Sequence, residues 1–532
     1  MKDSTSVLVV GGGLVGLSTA MFLAWHGVKT VLVERHPGSS PHPRAIGYTA
    51  TTMEAFAPLG LTARIPQAPP QFRLRRARIE SLAGEWFEET DWTPENDETP
   101  RRVYSPYTGA AFAQDRLEPL LRDKAIELGA DVRMSTELLD FTQDEDGVTA
   151  SLRERDGRRY TLHAAYMVAA DGHRSPVRKA LGIDSQGRGL LRTLRSVLFR
   201  APLEAYLEKG VHQFSIDQPG FEAFLTTYGD GRWVLMFSDD QERDEATLRA
   251  MIDKAVGRTD LDVEIITTGR WELGAHIADR FASGRVFLAG DAAHTLPPSR
   301  GGFGANTGIA DAHNLAWKLA SVLSGISTPA LLDTYDAERR PIAWLRHQQI
   351  FARPDYKAHA GGTTADVPVL DDDAMEFGQL YRSTAVIGGG EELPAALRPD
   401  QWSGQPGTRA PHVAVSVHGE PMSTLDLFQG ARGGWVLIAD DERWRPAAKE
   451  AAERLGIDVT CVGIGVDVLE TEDAALRAAL GLRTGGASLV RPDGYVAWRS
   501  LDLPDDPAVA LREALGRLSS AVRALDTTRA PG

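Results

Sequence analysis

A chain of 532 residues, 42% hydrophobic and 25% charged, is long enough for two or three domains and has the composition of an ordinary globular protein. Its formal charge of −15 excludes non-specific nucleic-acid binding, and a single cysteine, Cys461, excludes an internal disulfide framework and fits a reducing cytoplasm. Residues 6–24 are apolar enough to mimic a signal peptide but lack a basic leader and contain a glycine-rich loop. No other segment stays apolar over about 18 residues, so a cytoplasmic protein without a membrane span is expected.

In chain order, residues 7–10 read as a buried parallel strand, then a glycine loop, then a helix over 14–26 that Gly27 ends. Residues 28–33 form a second strand closing on Glu34, which completes a βαβ unit. A helix is expected over 116–128, stopped by Gly129, and an apolar strand over 166–170 runs into Asp171-Gly172. From about 190 to 269 the pattern alternates as strands do (211–216, 223–228, 233–237), which predicts a sheet-rich insertion. Residues 286–289 return to a short buried strand, helices follow over 306–323 and 330–351, and 358–373 reads as a linker.

After Pro411 a separate α/β unit is expected. It has strands at 435–438, 459–462, 488–490 and 496–498, helices at 447–455 and 474–480, and Cys461 as a buried strand residue. The fold class is α/β: a nucleotide domain (1–189 and 281–400) holding an inserted sheet domain (190–280), with a C-terminal unit over 401–532.

The chemistry sits in two glycine-rich segments. Gly11, Gly13 and Gly16 match G-x-G-x-x-G: a tight turn, close approach of a pyrophosphate, and close packing of helix on strand. The amides of Leu14 and Val15 face the phosphate at the positive helix end, and Glu34 is placed for the ribose hydroxyls. Asp291 emerges at the end of the strand through Gly290, where open α/β sheets bind ligands. It suits a hydrogen bond to the ribityl chain of FAD, although a turn or helix-cap aspartate has the same look. Pro297-Pro298 stiffens the connection; Gly301, Gly302 and Gly304 let the backbone approach a flat ring. Asn306, after Ala305, caps or begins a helix whose positive end points at the flavin pyrimidine.

These segments, with Asp171-Gly172-His173-Arg174-Ser175-Pro176-Val177-Arg178, resemble the single-component FAD-dependent aromatic hydroxylases over residues 5–350, with a weaker echo to about 500. The resemblance implies FAD contacts at Arg44 and Gln114, with Arg35 beside Glu34. It also implies passage of the nicotinamide cofactor near Asp171, and a structural place for His294. Gly407–His412 and 423–428 are similar to the start of the thioredoxin-like domain of the larger members. Without Cys-x-x-Cys that unit has packing or association as its role.

As the resemblance implies, NADPH (or NADH) reduces FAD and O2 gives a flavin C4a-hydroperoxide. This intermediate hydroxylates an electron-rich ring, here a phenolic, anthracycline-type polyketide. Baeyer–Villiger oxidation or epoxidation on the same scaffold is the alternative, ahead of halogenation or simple reduction. Tyr228, and Tyr381 and Arg382 in Leu380–Ser383, are catalytic candidates, each open to a reading as core tyrosine or surface arginine. Phe224, Trp233, Phe237, Pro297 and Phe303 are candidates to line the pocket. No metal is expected, and the protein is expected to be a monomer or homodimer.

Overall fold

The computed structural model describes residues 3–42, 44–69, 75–91, 102–298, 302–354, 365–428, 434–471 and 475–521. Gly301 and the first part of the expected linker, 358–364, lie outside the described residues.

The strand Asp3–Val10 runs parallel between Thr30–Glu34 and Arg159–Ala169, and the latter is parallel to Val286–Leu288 on its far side. Val7, Leu8 and Val9 are fully buried, as a continuous apolar run in a sheet covered on both faces requires. Three chain segments far apart in sequence thus end side by side: Gly11 follows one strand, Asp171 its neighbour, and Asp291 the next.

Helix α1 (Leu14–Trp25) stops one residue before the expected end. Gly27 takes a φ of 77° and donates its amide to Ala24, a left-handed close that favours glycine. The short α2 (Ala50–Phe56) lies outside the expected elements. Helix α3 (Gln114–Glu127) begins two residues before the expected start, and α4 (Pro176–Ala180) follows Asp171-Gly172.

The second sheet has eight strands and is larger than the expected insertion. Its long central pair, Ser185–Arg200 and Glu264–Ala278, overruns the expected limits. The hairpin Arg75–Ile79 with Trp86–Asp91 joins it from earlier in the chain, by a parallel contact with Gln213–Gln218. Helix α5 (Glu245–Val256), which the alternation concealed, covers one face of this sheet. Asp244 caps it by accepting from the Thr247 amide at 2.8 Å.

Helix α6 (Phe303–Leu323) begins three residues before the expected start and packs on α1; α7 (Ala330–Ala352) returns antiparallel to it. In the C-terminal unit the sheet order is Val459–Gly463, Trp435–Ala439, Ala487–Val490, Val496–Ser500, the first pair parallel and the rest antiparallel. Trp444–Leu455 and Pro507–Leu518, the latter beyond the expected elements, pack together on one face, giving a thioredoxin-like unit. Cys461 lies in its strand but is only half-buried. Trp317 of α6 meets Trp435 edge-on at 6.0 Å, so the cores of the two domains merge. No helix among the described residues is long and apolar enough to cross a membrane.

Candidate active site

The glycine loop is shaped by contacts that leave no room for a side chain. A Cβ on Gly11 would lie 2.3 Å from the Ala170 carbonyl oxygen, and one on Gly16 would lie 1.9 Å from that of Gly11. Gly13, the N-cap of α1, is by contrast open, with only a Glu118 oxygen near its Cβ position at 3.7 Å. Gly13 has no side chain to cap α1; the Leu14 amide leans on Glu118, and the amides after it keep their capacity for an anion. Glu34 closes the outer side, accepting from the Gly12 and His36 amides at 2.7 Å each, while Arg35 is exposed beside it.

The second motif is locked to the first by Val15. A Cβ on Gly290 would come within 2.7 Å of the Val15 side chain, and one on Gly308 of α6 within 2.5 Å. Val15 therefore keys α1 into the turn that carries Asp291. Among the described residues, the half-buried Asp291 carboxylate makes no hydrogen bond, so the acceptor at this strand tip is unspent. Behind it a fully buried cluster holds the turn: Asp311 accepts from the Gly290 amide at 3.1 Å, from His294 at 2.6 Å and from Arg339 at 2.8 Å. His294 is fully buried and held by Asp311.

Asp171 does not turn its carboxylate outward. It accepts from Ser175 Oγ at 2.6 Å and the Val177 amide at 3.0 Å, bracing α4, and burial pushes its carboxyl up. Gly172 adopts a φ of 84° to make that turn. Arg178 then spans to the neighbouring strand end, donating to the Ala292 carbonyl at 2.6 Å. Asp171 and Gly172 shape the rim, and the backbone of Ala170 and Asp171 lies against Gly11.

Gln114 Oε1 accepts from the amides of Ala45 and Arg44 at 3.1 and 3.3 Å, and its Nε2 donates to Glu118 at 2.7 Å. This ties the exposed Arg44 loop to α3. Glu118, which sequence reasoning missed, is buried beside Gly13, and burial raises its carboxyl. Only its spacing of four from Gln114 could have marked it.

Asn306 does not start α6; it sits one turn in. Its Nδ2 donates to Gly302 and Gly47, and its Oδ1 accepts from Thr52 at 2.7 Å. The helix is nucleated by Gly302, φ 57°, with no side-chain cap, leaving the amides of Phe303, Gly304 and Ala305 facing the loop. Pro297 is buried, Pro298 exposed.

Trp233 and Phe237 are corrected. Their rows of the sheet bury Trp233, Leu235 and Phe237 against Phe214 and α5, away from the nucleotide domain. The register sets Phe224, Met236 and Ser196 together on the opposite face. Ser196 Oγ bonds His42 at 2.8 Å, so this face looks toward the flavin domain. Trp271 donates to the same oxygen, and Arg44 lies over its ring at 5.8 Å. Phe303 is buried beneath Arg346 and Arg353 instead of lining an open pocket.

The catalytic candidates separate. Arg382 donates to the carbonyls of Gly390, Leu393 and Pro394 and anchors a loop. Tyr381 is buried, stacked on Tyr495 at 4.1 Å, and accepts from Arg339. Tyr381 belongs to the seam with the C-terminal unit. Tyr228 instead meets α3, under Arg232, which bridges to Asp115 at 2.7 Å. Burial holds its phenol well above the usual range.

A Gly11–Gly16 cradle, an acidic strand tip and an uncapped helix converging on one edge fit FAD. A model of the FAD-binding domain matches residues 4–349, and one described as the C-terminal region of aromatic-ring hydroxylases matches 403–521. The chain belongs to the single-component FAD-dependent aromatic hydroxylases. It is a flavoprotein monooxygenase. It is 38% identical to the tetracenomycin A2 monooxygenase-dioxygenase of Streptomyces glaucescens, over 97% of each chain. It is 39% identical to the 4-methyl-5-nitrocatechol 5-monooxygenase of a Burkholderia species, over 96% of each. The solved complex of aklavinone-11 hydroxylase with FAD and aklavinone superposes with a TM-score of 0.87 at 37% identity. The match covers 98% of this chain and all of the other.

Proposed function

We propose that this hydroxylase oxygenates a phenolic aromatic polyketide, using NADPH as its transient reductant. The observation that carries the reading is the sheet face bearing Phe224 and Met236, turned toward the flavin domain and roofed by the Arg44 loop through His42 and Ser196. When bound, FAD supplies electron transfer from the nicotinamide and the activation of dioxygen. Gly11–Gly16 and Glu34 hold its diphosphate and ribose, Asp291 its sugar alcohol, and the Phe303–Ala305 amides the anionic edge of the reduced ring. Gln114 fixes the Arg44 loop. The raised Tyr228 phenol argues against a role as base.

A second reading, a substituted small phenol, is favoured by the equal identity to the nitrocatechol enzyme. Incubation with NADPH, 18O2 and a panel spanning tetracyclic phenols and nitrocatechols tests both. Gain of one labelled oxygen on a polyketide ring supports the proposal. Turnover of nitrocatechol alone transfers it to the second reading, a lactone product points to Baeyer–Villiger chemistry, and NADPH oxidation with peroxide release and no product refutes the tested substrate classes.

A further inference from the structure

Helices α6 and α7 are stitched by a ladder of arginines spaced seven apart on α7. Arg339 meets Asp311, and Arg353, just past the helix, meets Asp372. The middle rung differs. Arg346, 6% exposed, donates Nη1 to Thr307 Oγ1 at 2.5 Å and lies over the Phe303 ring, and its Nε has no partner. Among the described residues no carboxylate forms an ion pair with it. A buried cation without a counter-charge is costly in a low dielectric. Burial, with Arg339 adding repulsion, accordingly lowers its guanidinium to about 10.

Arg346 lines a cavity of about 100 Å³ between α2, α6 and α7 on one side and the turn Pro492–Tyr495 of the C-terminal unit on the other. The other charged groups on its walls are Arg339, paired with Asp311, and Glu54, Glu376, Arg409 and Asp493. Arg409 pairs with Glu54 at 2.7 Å, Asp493 with Arg491, and Glu376, toward the α2 end, accepts from the Thr51 amide. Tyr495, stacked on Tyr381 at 4.1 Å, lines the same cavity from the C-terminal side.

We propose that this cavity binds a small monovalent anion, held by Arg346 and the Tyr495 hydroxyl at the seam between the flavin domain and the C-terminal unit. The volume takes a halide with little accompanying water. Glu54, Glu376 and Asp493 on the same walls disfavour a phosphate-like dianion. The site is separate from the glycine-loop cradle and does not depend on the substrate.

Crystals of the FAD-loaded protein soaked in sodium bromide test it directly. An anomalous peak in contact with the Arg346 guanidinium is expected; peaks at surface arginines with none in the cavity would overturn the proposal, showing adventitious binding only. In solution, bromide should raise the melting temperature by about 1–2 °C over gluconate at matched ionic strength. Arg346→Lys should keep that response and Arg346→Met lose it; an equal response in wild type and Arg346→Met counts against the site. Should Arg346→Met fail to fold, the diffraction result decides.

Discussion

The two ends of α6 use polar groups in opposite ways. At its amino end, facing the cradle, the helix amides are uncapped and the Asp291 carboxylate has no hydrogen bond among the described residues. Toward the other end, buried charges are saturated. Glu338 accepts from Lys318 at 2.8 Å and from both ends of the Arg491 guanidinium, and Asn314 bridges Glu338 to Asp493. Buried charge is therefore not what distinguishes the active site in this fold. At the cradle, unspent helix amides and a free carboxylate acceptor gather at one edge, because a site must hold in reserve what its ligand will take up.

The largest effect should come from breaking the saturated end. Arg491→Ala strands Glu338 and Asp493 without their main cation and should cost about 3–5 kcal/mol of stability, read by denaturant unfolding of the FAD-loaded protein. The folded fraction should still bind FAD with wild-type affinity. A variant that folds normally but loses flavin would erase the distinction between the two ends.

Asp291→Ala is the converse. It removes one charge-assisted acceptor from the cradle, about 2–3 kcal/mol or roughly a hundredfold in FAD affinity, while the apoprotein melts as before. Purification should give nearly colourless protein, and full absorbance near 450 nm would show that this carboxylate does not face the cofactor.

The contrast also explains what could be read from sequence. The cradle was legible because its pattern is local: Gly11 to Glu34 span one βαβ unit, and Gly16 answers to the carbonyl of Gly11. The seam was not, since Arg491 and Glu338 are 153 residues apart and nothing in either neighbourhood marks the partner. Trp233 and Phe237 show the limit of periodicity. Their spacing places them on one face, but α5, hidden within a run read as strands, decided which face was core. Likewise Tyr381 and Arg382 carried the right residue types, yet Tyr495 and the 390–394 carbonyls already claim them.

Between the two ends lies Glu376, whose carboxyl burial, with Glu54 adding repulsion, raises from its ordinary 4.5 to about 7. The unfolded chain gives up this proton first, so from about pH 4.5 to 7 the folded state binds more protons and stability falls as pH rises. Above about 7 the loss is complete. Glu376→Gln should flatten that slope and be about 3 kcal/mol more stable than wild type at pH 8. Parallel stability curves for the two proteins would show that this carboxyl does not control it.

The smallest effect belongs to Glu118, a buried carboxyl beside the glycine loop that opposes an anionic ligand. It lies beside Gly13, where the FAD diphosphate must approach, and burial already holds its carboxyl above the usual range, with Glu34 adding repulsion. Ser39, the Leu14 amide and Gln114 donate to it and pull the other way. A diphosphate arriving nearby raises the carboxyl further, so binding takes up protons and FAD affinity should decline with rising pH. Glu118→Gln keeps an oxygen acceptor but removes the charge. It should tighten FAD by less than about tenfold at high pH and flatten the dependence, measured by quenching of flavin fluorescence on titration into apoprotein. If Glu118→Gln instead weakens FAD at every pH, the carboxylate serves to orient Gln114 and the Arg44 loop, and its repulsion is already offset by the three donors around it.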